Sequence, residues 1–266
     1  MRAPFPIGLA FAWTGFITAL LWLALSLVVV FGRGVPDIVL LGGTQVVVYA
    51  LTLILFAVAL RSNVRELLGL RRVSVFLCLA AAALGFALQV PATLLSNAVE
   101  RFFPLPEAVL AERMARITPH STWHAIAIFA VVAGAGPCVE EFFFRGALFG
   151  ALRRSYGALV TIAVVSLCFA IGHLDWRLLL PLYLAAWVIG EVREQSGSVW
   201  PGIALHAAFN AATLSVVFSG AMKAGKAPEM PPIFAIFGCL LAVSLLVLVR
   251  SLSQSAGSRA TRAHGA

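Results

Sequence analysis

Residues 123–152 read WHAIAIFAVVAGAGPCVEEFFFRGALFGAL. Glu140, Glu141 and Arg145 are the charged side chains in this stretch, and they stand together just after a Gly-Ala-Gly-Pro break at residues 134–137. An α-helix rises about 1.5 Å per residue and the hydrocarbon core of a bilayer is about 30 Å thick, so the run is long enough to cross. It is apolar on every side outside its centre, which suits lipid and not water. The stretch predicts a membrane helix with an ionisable middle.

The rest of the chain fits that setting. Of 266 residues, 61% are hydrophobic and 11% are charged, against about 25% charged in a soluble domain. Mean hydropathy is +0.99. Water-soluble, disordered and collagen-like classes are excluded. The apolar runs are continuous rather than alternating, so closed helices, not a barrel, satisfy the backbone in lipid. Windows of low charge predict about eight spans: Ile7–Phe31, Ile38–Leu60, Val75–Leu95, Trp123–Leu152, Leu159–His173, Leu178–Gly190, Val199–Phe218 and Ile233–Val249. The fold class expected is an all-α polytopic membrane helical bundle, one transmembrane domain over residues 1–250, followed by a disordered tail over 251–266 rich in Ser, Ala, Gly and Arg. The first run is too long for a secretory leader and is expected to remain as an anchor. Between the third and fourth spans, PEAVLAERMARI predicts an interfacial amphipathic helix begun by Pro106.

The formal charge of +8 is the excess of 19 basic over 11 acidic residues, and all the basic ones but Arg145 are scattered through the connections. They form no block of five or six, so no nucleic-acid partner is expected. With an even number of spans both termini share one side. That side's connections hold eleven basic residues against seven opposite, which predicts cytoplasmic N and C termini. Seventeen Arg against two Lys, with abundant Ala, Leu and Val, fit a GC-rich bacterial genome and hence the inner membrane. Cys78, Cys138, Cys168 and Cys239 each stand alone in an apolar run and predict neither disulfides nor a metal motif. No internal repeat marks the chain as a transporter.

An ionisable side chain inside a span costs about 2.5 to 3.5 kcal/mol on insertion scales and needs a partner or a role. Glu141 and Arg145 are four apart with the acid first, the favourable order for an intrahelical ion pair. Glu140 points about 100° away and must look to another helix or to water. Two histidines in apolar surroundings are available: His173, one turn after Phe169 in the fifth span, and His206, one turn before Asn210 in the seventh. Three helices thus each offer a polar face to the bundle interior. Pro137 predicts an interruption or kink just before Glu140, and carbonyls freed there need donors, as a wet cavity would supply.

VEEFFFRGALFGAL, then FAIGH, then SVWPGIALHAAFNA resemble, in order and each on its own span, the three motifs of the CAAX-protease and bacteriocin-processing (Abi) family of intramembrane endopeptidases. Those motifs are an acid pair with Arg four after the second acid, Phe-x-x-x-His and His-x-x-x-Asn. The resemblance covers residues 137–218. It implies an eight-helix architecture and a glutamate-dependent peptidase that uses no metal or other cofactor. Glu140 would be the general base, His173 would hold and polarise the attacking water, and His206 and Asn210 would stabilise the oxyanion. Glu141, Arg145 and Phe169 would support them. The physical reading agrees: a carboxylate can take a proton from water, and an amide N–H can donate to a tetrahedral oxyanion in any protonation state. The implied partners are a peptide or lipidated protein substrate and the bilayer. Two alternatives stay open: a zinc metallopeptidase with Glu140, His173 and His206 as ligands, and a non-catalytic membrane scaffold or bacteriocin-immunity protein.

Overall fold

Unbroken apolar sequence leaves the backbone no partner but itself, and among the described residues every regular element is helical. The computed structural model describes residues 4–31, 38–60, 63–220 and 230–264. In chain order the helices are α1 (Ile7–Phe31), α2 (Ile38–Leu60), the single turn α3 (Val64–Leu67), α4 (Val75–Phe102), α5 (Glu107–Ile117), α6 (Thr122–Arg153), α7 (Ala158–Gly172), α8 (Leu179–Ser196), α9 (Trp200–Phe218) and α10 (Pro232–His264). This is an all-α polytopic membrane bundle. Every predicted span falls on a helix, and six of them, α1, α2, α4, α6, α9 and α10, are long and apolar enough to cross a membrane. Of the basic residues that enter the charge comparison, Arg2, Arg33, Arg61, Lys223 and Lys226 lie outside the described residues.

Differences from the sequence reading have local causes. Helix α8 runs six residues past Gly190 because its charged end is paired: Arg250 donates to Glu191 at 3.0 Å and Arg153 to Glu194 at 2.9 Å. It stops at Gly197, whose φ of +64° supplies the left-handed C-terminal turn. Helix α10 continues to His264 instead of ending near Val249. Leu252 extends its apolar stripe onto the α4–α8–α9 core, and Ser253 is buried with its hydroxyl on the carbonyl of Val249. The stretch predicted as a disordered tail therefore begins inside a packed helix. Helix α5 forms where expected, with Leu110 buried, but Pro106 is its N-cap and not its first helical residue. All four cysteines are free.

The helices divide into an outer and an inner set. Only 11% of the apolar windows of α1 and α10 is buried, against 44% in α4 and α9. Helix α4 meets α9 at Gly85, where a Cβ would stand 2.2 Å from the carbonyl oxygen of Leu205. Two cores result. One joins α1, α2, α6 and α7 through Phe56, Phe143, Phe144 and Phe169, and the other joins α4, α8, α9 and α10 through Leu84, Leu88, Val192 and Leu205.

The predicted break in α6 takes another form. The helix stays continuous but widens to π-helical turns at Ala130–Ala135 and Phe142–Leu148, on either side of Gly136–Glu141. In the first of these the Gly136 N–H reaches back five residues to the Val131 carbonyl. The next rung of that ladder would run from residue 137 to Val132, and proline has no N–H to give. Asn210 Nδ2 donates to the Val132 carbonyl instead, at 2.8 Å. A side chain of α9 thus completes the backbone of α6, and the chain widens where it would otherwise break.

Candidate active site

Glu140 and Glu141 are adjacent on α6 and face different neighbours. Glu141 is wholly buried, and its Oε1 accepts from Arg145 Nη1 at 3.0 Å and from His206 Nδ1 at 2.9 Å. Arg145 is also sealed: Nη2 donates to the Ala186 carbonyl at 2.9 Å, and the guanidinium lies 4.7 Å from the centre of the Phe169 ring. The predicted intrahelical pair is present, and it carries a second task. A carboxylate can only accept, so the proton of His206 that Glu141 binds is on Nδ1, which turns Nε2 toward Glu140.

Glu140 is 9% exposed. Its Oε1 accepts from Gln45 Nε2 of α2, and its Oε2 lies 3.8 Å from His206 Nε2. The sequence reading seeks the partner of Glu140 on the helices of His173 and His206. His206 is a neighbour, but the direct hydrogen bond comes from α2. Gln45 is the residue that sequence reasoning misses. A signal exists: α2 holds no charged residue and one carboxamide, and its Thr44 and Thr52 hydroxyls bond to carbonyls of their own helix. Gln45 is thus a polar side chain without a local reason.

His173 caps the C-terminus of α7 and is followed by Leu174 at φ +52°, a left-handed conformation costly for a side chain with a Cβ. That turn stops the helix at the histidine. His173 Nδ1 donates to the Phe169 carbonyl at 2.9 Å, leaving Nε2 as the acceptor in the neutral ring. Phe169 ties the cluster together, its ring centre 4.7 Å from that of His173 and 5.6 Å from that of His206. Further on, Asp175 is paired with Arg113 of α5 at 2.7 Å.

A cavity of about 320 Å³ brings Glu140, His173, His206 and Asn210 together, with Gln45 and Phe169 also in its wall. Glu141 and Arg145 lie behind that wall. Asn210 commits one N–H to Val132 and keeps a second. Leu21 and Leu25 of α1 and Leu182 of α8 make the remaining surface apolar. Among the described residues, no three His, Cys, Asp or Glu side chains gather to hold a metal ion. The arrangement offers a carboxylate, an imidazole acceptor and amide or imidazole donors around one small volume, a set suited to moving a proton beside a developing oxyanion.

Residues 122–212 match the family model described as type II CAAX prenyl endopeptidase Rce1-like. This part of the chain is similar to that family. The matched segment contains α6, α7 and α8 and most of α9, and with them every site residue read from the three motifs. Gln45 lies outside it. No curated protein and no solved structure matches the chain. At the family level, the Rce1-like match supports a membrane-embedded protease of the CAAX type.

Proposed function

We propose that the protein is an intramembrane glutamic endopeptidase, hydrolysing a peptide bond of a membrane-associated substrate with water activated by Glu140. The observation that carries this reading is the convergence of Glu140, His173, His206 and Asn210, from three helices, on one cavity. Glu140 takes a proton from the water, and His173 Nε2, left as an acceptor, holds the water's second hydrogen. The hydroxide adds to the scissile carbonyl. The oxyanion that forms is met by the spare N–H of Asn210 and by His206, and Glu140 then returns its proton to the leaving amine, so that base and acid are restored. His206 donates from Nε2 when both of its nitrogens carry protons.

The apolar wall of Leu21, Leu25 and Leu182 favours a substrate with aliphatic side chains or a lipid group near the cleaved bond. A Cys-aliphatic-aliphatic-X end bearing a prenyl chain has both, and the description of the matched family points the same way. We place both termini in the cytoplasm of a bacterial cell, on the excess of basic residues in that side's connections. The test uses purified full-length protein and an internally quenched peptide ending in a farnesylated Cys-aliphatic-aliphatic-X sequence, with the unprenylated peptide beside it. The wild type should cleave, and Glu140→Gln should lose at least about a thousandfold in rate while keeping its melting temperature. A Glu140→Gln enzyme of undiminished rate removes the glutamate from the mechanism. Absence of cleavage in the wild type favours the scaffold reading.

A further inference from the structure

The hydrogen bond to Glu140 comes from outside the matched segment, 95 residues earlier in the chain. We infer that Gln45 is a positioning residue for the reaction: its amide occupies Oε1 of Glu140 so that Oε2 is the oxygen presented to water. The inference rests on the reading of Glu140 as the base. Three observations carry it. Gln45 is in the wall of the cavity that Glu140 lines. His206 Nε2, at 3.8 Å, is beyond direct hydrogen-bond reach of Oε2, so the protein itself engages one oxygen of the carboxylate and leaves the other to a ligand. Helix α2 is also held close: an added Cβ at Gly42, three residues before Gln45, would stand 1.8 Å from Val131 Cγ1 in the first π stretch. That approach brings a side chain of Gln45's length to the acid, and the π turn that permits it is the one Asn210 completes.

Chemically, an amide suits the task. It donates at every pH, does not titrate and leaves the carboxylate's charge in place. Groups that face Glu140 and can titrate are Glu141 and Arg145 on its own helix, Tyr49 on α2, His206 on α9 and His173 across the cavity. They are common to every variant below, so the difference from wild type isolates position 45.

With the quenched farnesylated peptide, Gln45→Met should lower kcat by about ten- to a hundredfold, the range of one charge-assisted hydrogen bond, with KM changed less than about twofold. Gln45→Glu should be as slow at pH 8 and recover relative to wild type as the pH falls, because a carboxyl at that position donates only when protonated. A defect of packing alone would not change with pH in that direction. Wild-type kcat in Gln45→Met, or superposable pH profiles for the two variants, overturns the inference. A cycle on thermal unfolding provides a reading independent of turnover: Gln45→Met and Glu140→Leu should shift the melting temperature less together than the sum of their separate shifts, and additivity would count against the contact. If Glu140→Gln is inactive and Gln45→Met is not, only this inference fails. If Glu140→Gln is active, the proposed function fails and takes the positioning role with it.

Discussion

One peptide bond separates two carboxylates that the fold treats as opposites. On the side of Glu141, α6 is closed: Arg145 and His206 both donate to Oε1, and the Ala186 carbonyl and the Phe169 ring hold the guanidinium, while Glu141 Oε2 and Arg145 Nε are buried without a hydrogen-bond partner among the described residues. On the side of Glu140 it is open, with a neutral amide as the direct partner and a cavity beyond. The same side-chain chemistry serves as a structural anion in one place and a candidate base in the other. What differs is whether a fixed cation compensates the charge. His206 joins the two sides, bonded to Glu141 through Nδ1 and facing Glu140 through Nε2. The closed side therefore sets the geometry of the open one.

The largest blow to this division should come from Glu141→Leu. Removing one member of a buried ion pair leaves Arg145 charged, unpaired and out of reach of water, which costs about 3 to 5 kcal/mol. His206 loses its acceptor in the same step. Melting temperature in detergent should fall sharply, and any protein that remains folded should be slow with the farnesylated peptide. Glu140→Gln is expected to do the reverse, losing rate and keeping stability. Should Glu141→Leu melt with the wild type, the contrast between the two sides would not hold.

A smaller effect should follow from Asn210→Leu, which touches both sides. It strips the Val132 carbonyl of the donor that replaces the missing N–H of Pro137, at a cost of about 1 to 3 kcal/mol for an acceptor left unsatisfied. It also removes the spare N–H from the cavity. Asn210→Asp sharpens the test, since a carboxylate cannot donate to Val132 and would stand near Glu140. Both variants should lose stability and turnover together. A loss of turnover with an unchanged melting temperature would mean that the α6 backbone does not depend on Asn210.

Much of this was legible in the sequence, and the reason is the solvent. Lipid enforces helices wherever charge is scarce, so the borders of α1 and α2 coincide with the hydropathy windows. The Glu141–Arg145 pair follows from spacing alone, because four residues make one helical turn. Two features did not follow. The π register of α6 depends on a rung supplied by α9, a long-range contact that local pattern around Pro137 cannot encode. The bond from Gln45 likewise joins two helices through no periodicity, and its only trace is a carboxamide with no neighbour to explain it. The end of α8 misleads for a related reason: Glu191, Arg193 and Glu194 look like a loop until Arg250 and Arg153 arrive from other helices.

The smallest expected effect is none at all, and it asks most of the open side. Extended dialysis of the purified protein against a strong chelator should leave the rate with the farnesylated peptide unchanged. A zinc site needs its donor atoms about 2.0 to 2.2 Å from a common point, and the described residues show no such gathering. Their hydrogen bonds also suit another use. His173 Nε2 and His206 Nε2 face the cavity with their Nδ1 atoms committed to Phe169 and Glu141, a pattern that water activation and metal binding would share. Glu140 fits both as well, because a carboxylate whose Oε1 is held by Gln45 keeps its second oxygen for a proton or for a metal, and the chelator decides between them. Activity lost on dialysis and restored by one equivalent of zinc would make Glu140 a ligand. Gln45 would then orient a metal-binding oxygen, and both sides of α6 would be structural.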